Sequence, residues 1–316
     1  MSFAPAMLSS CEPFHFWIAR GWPTPPLRET WTYRTLTLQW ITQYRGDSIA
    51  AVDNRNFRLS VLTRTGQFVR SFMLPRIPGA SATNVTGTMR DGTLVLRTSV
   101  RTTPGESSHR PVIVYTVDAQ GQISNQLGDF PDAALARNGT DVALGGRAVV
   151  AAGDSVIWYG HSDRFEIRAM DREGSLLRLV RMERAAHRVT EADIERARAA
   201  DEQLRQRLFG PVAVAGPAME PEFVDTHPVH GNRILVGEAS DLWVARYNFM
   251  LPVQVLLSPH DVSEEWDIFD PGGRWQTTIV LPSGFQLTQV GKTFLLGVHT
   301  DELGVHRIRM YRIARE

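Results

Sequence analysis

Apolar and polar positions alternate along most of this chain in short runs that end in turn-forming clusters. Between Ser48 and Phe72, an apolar run from Ser48 to Val52 leads into Asp53-Asn54-Arg55-Asn56. A second run, Phe57 to Leu62, leads into Thr63-Arg64-Thr65-Gly66, and a third covers Gln67 to Phe72. A period of two puts successive side chains on opposite faces of an extended chain, and Asp, Asn and Gly favour reversal, so the stretch predicts three strands joined by two turns. The same order recurs over residues 94–128, 153–180, 241–281 (with a long loop) and 293–313. The residue opening the second turn is Thr63, Asp118, Asp171, Asp270 and Arg312 in the five copies. In the first four, a glycine stands three positions later, at Gly66, Gly121, Gly174 and Gly273. An aspartate there accepts hydrogen bonds from the turn's own backbone, and glycine takes the left-handed conformation the turn needs.

The successive intervals are 55, 53, 99 and 42 residues, and the long one contains a segment of different pattern, residues 182–231, whose removal leaves 49. A strand unit recurring at roughly 40–50 residues predicts a β-propeller, because such a sheet has two apolar faces and buries both only between neighbours in a ring. An inner strand is expected ahead of each triplet, at Thr37–Thr42, Asn84–Met89, Arg147–Ala151, Ile234–Gly237 and Gln286–Val290. The predicted fold class is all-β: a β-propeller of four-stranded antiparallel blades, six-bladed or five plus an incomplete N-terminal blade, with one helical insertion. Residues 36–316 form the propeller domain and 182–231 the insertion. Residues 1–35 read as an irregular N-terminal segment. Within it, part of Glu12 to Thr35 is expected to close the ring by supplying the outer strand that the fifth copy lacks.

In the insertion, Thr190-Glu191-Ala192-Asp193 combines a capping threonine with an acid three residues on. Ile194, Ala197, Leu204 and Leu208 then mark one apolar side before Gly210-Pro211, which predicts a helix. On a connection between blades, such a helix is either a lid beside the central channel or a structural decoration.

The run Asp53 to Leu62 followed by Gly66-Gln67-Phe68-Val69 resembles the NHL-type and TolB-like repeats of six-bladed β-propeller proteins. Over residues 33–313 the chain is similar to a group of uncharacterised bacterial, predicted exported six-bladed propellers. The stretches Arg188 to Glu195, Leu242-Trp243-Val244 and Asp301 to His306 carry that likeness. The resemblance implies fold and lineage and brings no catalytic residue with it.

Composition narrows the partners. Lys+Arg and Asp+Glu are equal at 34 each, so no net field recruits nucleic acid, and Lys292 is the only lysine. No apolar stretch approaches the roughly 18–20 residues of a transmembrane segment. Cys11 is the only cysteine, which excludes an internal disulfide. Leu8-Ser9-Ser10-Cys11 has the form of the end of a bacterial lipoprotein signal, but the preceding MSFAPAM lacks a positive charge and an apolar core. A start upstream would make the protein periplasmic or lipid-anchored; otherwise it is expected in the cytoplasm.

Candidate chemistry is sparse. Asp225-Thr-His227-Pro-Val-His230 has ligand-like spacing, but a metal site needs more ligands converging than one loop supplies, and the two histidines read as exposed loop residues. The early Glu-Gly-Pro element of gluconolactonase-type propellers is absent, as are a Gly-x-Ser-x-Gly elbow and a glycine-rich phosphate loop. No catalytic residue, metal or cofactor is predicted. Trp158, Trp243 and Trp266 stand at strand positions and are expected in the core.

In an antiparallel meander, the loops after the second strand of each blade share a face with the blade-to-blade connections. This top face gathers residues 53–56, 97–109, 161–164, 246–264 and 299–305. Asp53, Arg55, His161, Asp163, Arg164, Arg246, Asn248, His299 and Asp301 are its candidate ligand contacts, the arginines because their fork matches carboxylates and phosphates. The expected function is a non-enzymatic binding or scaffold propeller that recognises a protein or peptide through top-face loops and the insertion. The alternative is a metal-dependent small-molecule hydrolase or lyase of the gluconolactonase-like propeller type.

Overall fold

The structure, a computed structural model, describes residues 38–313 apart from 47, 54, 55, 104, 106, 210–220 and 251–258. Its strands fall into successive antiparallel meanders. Blade 1 comprises β1 (Leu38–Tyr44), β2 (Ser48–Asp53), β3 (Arg58–Thr63) and β4 (Phe68–Met73). Blade 2 has β5 (Ala80–Thr88), β6 (Leu94–Val100), β7 (His109–Val117) and β8 (Ile123–Ala134), and blade 3 has β9 (Ala148–Gly153), β10 (Val156–His161), β11 (Glu166–Met170) and β12 (Leu176–Arg181). After the helix α1 (Glu191–Phe209) come blade 4, with β13 (Ile234–Val236), β14 (Leu242–Ala245), β15 (Glu265–Phe269) and β16 (Trp275–Val280), and blade 5, with β17 (Phe285–Val290), β18 (Phe294–Thr300) and β19 (His306–Arg312). Five blades are thus present among the described residues. The segment expected to close the ring, residues 12–35, lies outside them, as does Cys11.

The first strands of consecutive blades, β1, β5, β9, β13 and β17, are neighbours in that order, which makes them the inner strands around a common axis. β5 and β9 come close enough for a parallel bridge between Gly87 and Ala152. A Cβ on Gly87 would stand 2.7 Å from the Ala152 carbonyl oxygen, so glycine is what admits this approach.

Among the described residues, four hydrophobic clusters hold the blades together, one between each consecutive pair from blade 1 to blade 5. Leu94 and Leu96 of β6 pack with Val52 and Leu59 of blade 1, whereas Val95 between them packs with Ile157 and Tyr159 of blade 3. Leu242 and Val244 of β14 face blade 3 alongside Trp158 and Ile167, and Trp243 and Ala245 face blade 5 alongside Phe285 and Leu287. The strand period of two therefore delivers alternate residues to opposite junctions. Each such fully buried aliphatic or aromatic side chain contributes about 1.5–3 kcal/mol. Trp158, Trp243 and Trp266 are all core residues, at most 2% exposed.

The phased glycines do what the repeat predicted. Gly66, Gly121, Gly174 and Gly273 have φ between 82° and 90°. Asp118 Oδ1 accepts from the backbone N–H groups of Gln120 and Gln122, and Asp171 Oδ1 from those of Glu173 and Ser175. Just ahead of each of these turns the ladder slips by one residue, at Leu62, Val117, Met170 and Phe269. Such a bulge increases the local twist of an outer strand pair.

Candidate functional site

The predicted top-face residues divide by what they touch. Asp53 is buried, and its two oxygens accept from the Asn56 backbone N–H at 3.2 Å and the Asn56 side-chain amide at 2.7 Å. It holds its own turn, as Asp301 does by accepting from the N–H groups of Leu303 and Val305 and pairing with Arg307. Those bonds keep the Asp301 carboxyl below the usual range, with the Val305 N–H the largest cause. Burial lowers the neighbouring His299, whose Nδ1 is enclosed without a hydrogen-bond partner. Asn248 accepts from the Met250 N–H at 3.0 Å, and Arg164 is exposed. His161 and Asp163 come together at 3.4 Å. Arg246 pairs with Glu265 at 3.1 Å and with the fully buried Asp267 at 3.3 Å. With Tyr247, Asn248, Ser263 and Glu264, it lines a cavity of about 310 Å³. Arg55 lies outside the described residues.

A second cluster, which the sequence reading did not select, occupies the channel. Arg97 on β6, Arg110 on β7, Arg147 just before β9 and Arg233 just before β13 line a cavity of about 510 Å³, together with Asn84, Asp132 and Asn232. Arg97 Nη2 reaches Asp132 Oδ2 at 2.6 Å. The other oxygen of Asp132 accepts from the Ala148 N–H at 2.8 Å, and its backbone carbonyl meets His161 Nε2 at 2.8 Å. Asp132 thereby fastens the end of β8 to blade 3 and holds Arg97 in the channel. Asp141 serves two arginines, Arg110 at 2.8 Å and Arg147 at 2.6 Å. Arg233 pairs with the buried Glu264, donates to the Leu287 carbonyl and lies over the Trp266 ring at 5.2 Å. One signal for this cluster was legible: Arg97 interrupts the buried run of β6, and a cation in such a strand requires a partner.

The insertion begins on the predicted cap. Asp193 Oδ2 accepts from both the N–H and the hydroxyl of Thr190, at 2.9 and 2.6 Å, which with His227 and Arg196 holds its carboxyl far below the usual range. Ile194, Ala197 and Leu204 are half-buried, Ala200 between them is buried, and the side chain of Leu208 lies outside those described. Residues 221–230 tie α1 to the ring. The Val189 N–H donates to Asp225, the Ala143 N–H donates to Glu222, and the Tyr247 hydroxyl donates to the Leu144 carbonyl at 3.0 Å. His227 stacks on Phe249 with ring centres 5.5 Å apart and meets Asp193 at 3.3 Å.

The histidines of this segment are not exposed loop residues, as the sequence pattern suggested. The His227 side chain is 11% exposed, and His230 is fully buried against Phe165, its Nδ1 on the Gly231 carbonyl at 2.7 Å. Burial pushes His230 down to about 4. An imidazole kept neutral can fill an apolar junction, which polarity along the sequence does not reveal. Among the described residues, no three His, Cys, Asp or Glu side chains converge to hold a metal ion, and no helix is long and apolar enough to cross a membrane.

Fold and site together define a β-propeller with a helical insertion on its top face and an arginine-lined channel. No protein-family profile matches the chain, and no curated protein matches it. Among solved structures, the chain is similar to a member of the duf4221 family from Bacteroides vulgatus, at 10% identity and a TM-score of 0.46, over 87% of this chain and 78% of that one. It is also similar to a gluconolactonase from Xanthomonas campestris, at 12% identity and a TM-score of 0.39, over 87% and 72%. A streptogramin B lyase is similar at 11% identity and a TM-score of 0.37, over 89% and 70%. At these values no substrate or reaction passes to this chain, and its blade architecture rests on the strand pairing and junction cores above.

Proposed function

We propose that the protein is a non-enzymatic binding propeller that holds a protein or peptide segment on its top face, between the blade loops and the helical insertion. The observation that carries this reading is the docking of the insertion. Residues 143–144, 187–190, 222–230 and 247–249 join in one hydrogen-bonded and aromatic assembly on the same face as the mouth of the channel. A rigid platform beside a cavity of about 510 Å³ suits capture of an extended segment, since ligand sites are concave and largely preformed. The reading takes the ring as six-bladed and NHL- or TolB-like, supported by the repeat over Asp53 to Val69. The rival, a metal-dependent hydrolase or lyase, needs a ligand set that the described residues do not bring together.

The test is selection of displayed random peptides on the immobilised protein. It is repeated with residues 191–209 replaced by a Gly/Ser linker, a change in connection length that costs only about 0.6 kcal/mol per doubling. The expected result is a peptide consensus on the intact chain that is lost in a variant that still unfolds cooperatively. Absence of a consensus, or one indifferent to the replacement, refutes the reading. Stoichiometric calcium or zinc that survives dialysis would favour the rival.

A further inference from the structure

The channel arginines carry more charge than their partners neutralise. Arg97, Arg110, Arg147 and Arg233 bring four positive charges to one cavity, and the carboxylates that touch them are Asp132, Asp141 and Glu264. Among the described residues, one positive charge is left over. The four arginine side chains are only 20–35% exposed, so water compensates that charge incompletely.

Donors are also left over. Arg97 reaches Asp132 through Nη2, which leaves Nη1 for a second acceptor, while its Nε is enclosed without a hydrogen-bond partner. Arg147 reaches Asp141 through Nη1, so its Nε and Nη2 are the part of the fork left for a second acceptor. Arg110, by contrast, has both terminal nitrogens against Asp141, Nη2 at 2.8 Å from Oδ1 and Nη1 at 3.4 Å from Oδ2. The cavity thus offers a surplus charge and arginine N–H groups from blades 2 and 3, with the Asn232 side chain in its wall.

We propose that this cavity is a carboxylate site: it takes one carboxylate of the ligand held on the top face, through Arg97 and Arg147. The inference rests on the binding-propeller reading and names the chemical group that reading leaves open. A single carboxylate balances the surplus charge, whereas a phosphate dianion would leave the cavity net negative. Asp141, seated between Arg110 and Arg147, already shows that the cluster accommodates a carboxylate, and the planar arginine fork is matched to that shape. The carboxylate has two sources in a peptide, its C-terminus or an Asp or Glu side chain, and a small organic acid would present the same group.

The test is calorimetric titration of the intact protein with four probes: N-acetyl-glycylglycine, its C-terminal amide, N-acetyl-glutamic acid amide and inorganic phosphate. The expected result is binding of a free-acid probe with a dissociation constant on the order of 1 mM or tighter, with the amide and phosphate at least about tenfold weaker. Preference between the acetyl dipeptide and the glutamate probe separates chain end from side chain. Arg147→Gln should weaken the acid about tenfold or more, because the charge-assisted fork is lost while Asp141 keeps Arg110. Arg147→Lys, which keeps the charge but not the fork, should lie between. Asp132→Asn retains an oxygen for the Ala148 N–H and raises the surplus to two charges, so phosphate should gain on carboxylate.

Equal binding of acid and amide, or acid binding unmoved by Arg147→Gln, overturns the site. A top-face peptide consensus with no dependence on Arg147 or on any carboxylate overturns this inference alone. Arg147-dependent binding of the free acid without any peptide consensus supports the carboxylate site and removes the peptide-binding reading instead.

Discussion

Asp267→Ala is expected to be among the most destabilising polar substitutions in the ring. Asp267 lies on β15 with its side chain fully buried. On that strand Trp266 faces blade 5 and Phe269 faces blade 3, so alternation turns Asp267 toward blade 3, where Arg184 waits above the Phe165 ring at 5.2 Å. The carboxylate meets Arg184 Nη2 at 2.8 Å and Arg246 Nε at 3.3 Å, and accepts from the Thr278 hydroxyl at 2.6 Å. Removing one member of a buried ion pair costs about 3–5 kcal/mol, because the remaining charge stays desolvated. Here Arg184 keeps the Val229 carbonyl and Arg246 keeps Glu265, which places the expected loss near the lower end, about 3 kcal/mol. Guanidinium denaturation should show a lowered midpoint at unchanged slope, and the melting temperature should fall by about 4–5 °C. Arg184→Met in the Asp267→Ala background should add little, about 1 kcal/mol or less, because the orphaned cation is gone. The exposed pair Arg172–Glu173, with both side chains more than half exposed, supplies the control: Glu173→Ala should cost under about 1 kcal/mol. A loss below about 1 kcal/mol for Asp267→Ala, or strict additivity with Arg184→Met, would refute the reasoning.

Two further outcomes follow from the packing. His230 refuses its proton until about pH 4 in the folded chain, while the unfolded chain takes it near its ordinary 6.5. Stability should therefore fall as pH drops through that window, by up to about 1.4 kcal/mol per pH unit, and denaturation midpoints of His230→Leu should lose this slope above pH 4. Gly87→Val would drive a side chain into the backbone of Ala152 at the β5–β9 approach; thermal unfolding should report a loss of about 1–3 kcal/mol, typical of overpacking, and no loss would mean that the inner strands are not in contact there.

The ring was legible because it is built from local rules repeated at a fixed period. Alternation on β6, β10 and β14 decides which junction each side chain enters, and the glycines at 66, 121, 174 and 273 mark equivalent turns. The candidate site was much less legible, for two physical reasons. Asp53 and Asp301 were chosen as polar residues on top-face loops, but a loop aspartate that braces its own backbone has the same sequence signature as one that awaits a ligand. The channel cluster is assembled from Arg97, Arg110, Arg147 and Arg233, which come from three blades and acquire a common purpose only when the ring brings their elements to one axis. In a chain whose strong bases are arginine at every position but Lys292, composition gives these four no contrast. The readable exceptions are cations and acids embedded in apolar strands, Arg97 in β6 and Asp267 in β15. Each stands in a buried strand and is met by an opposite charge from another element, Asp132 on β8 for Arg97 and Arg184 beyond β12 for Asp267, so a lone charge in such a strand predicts a partner, though not which element brings it.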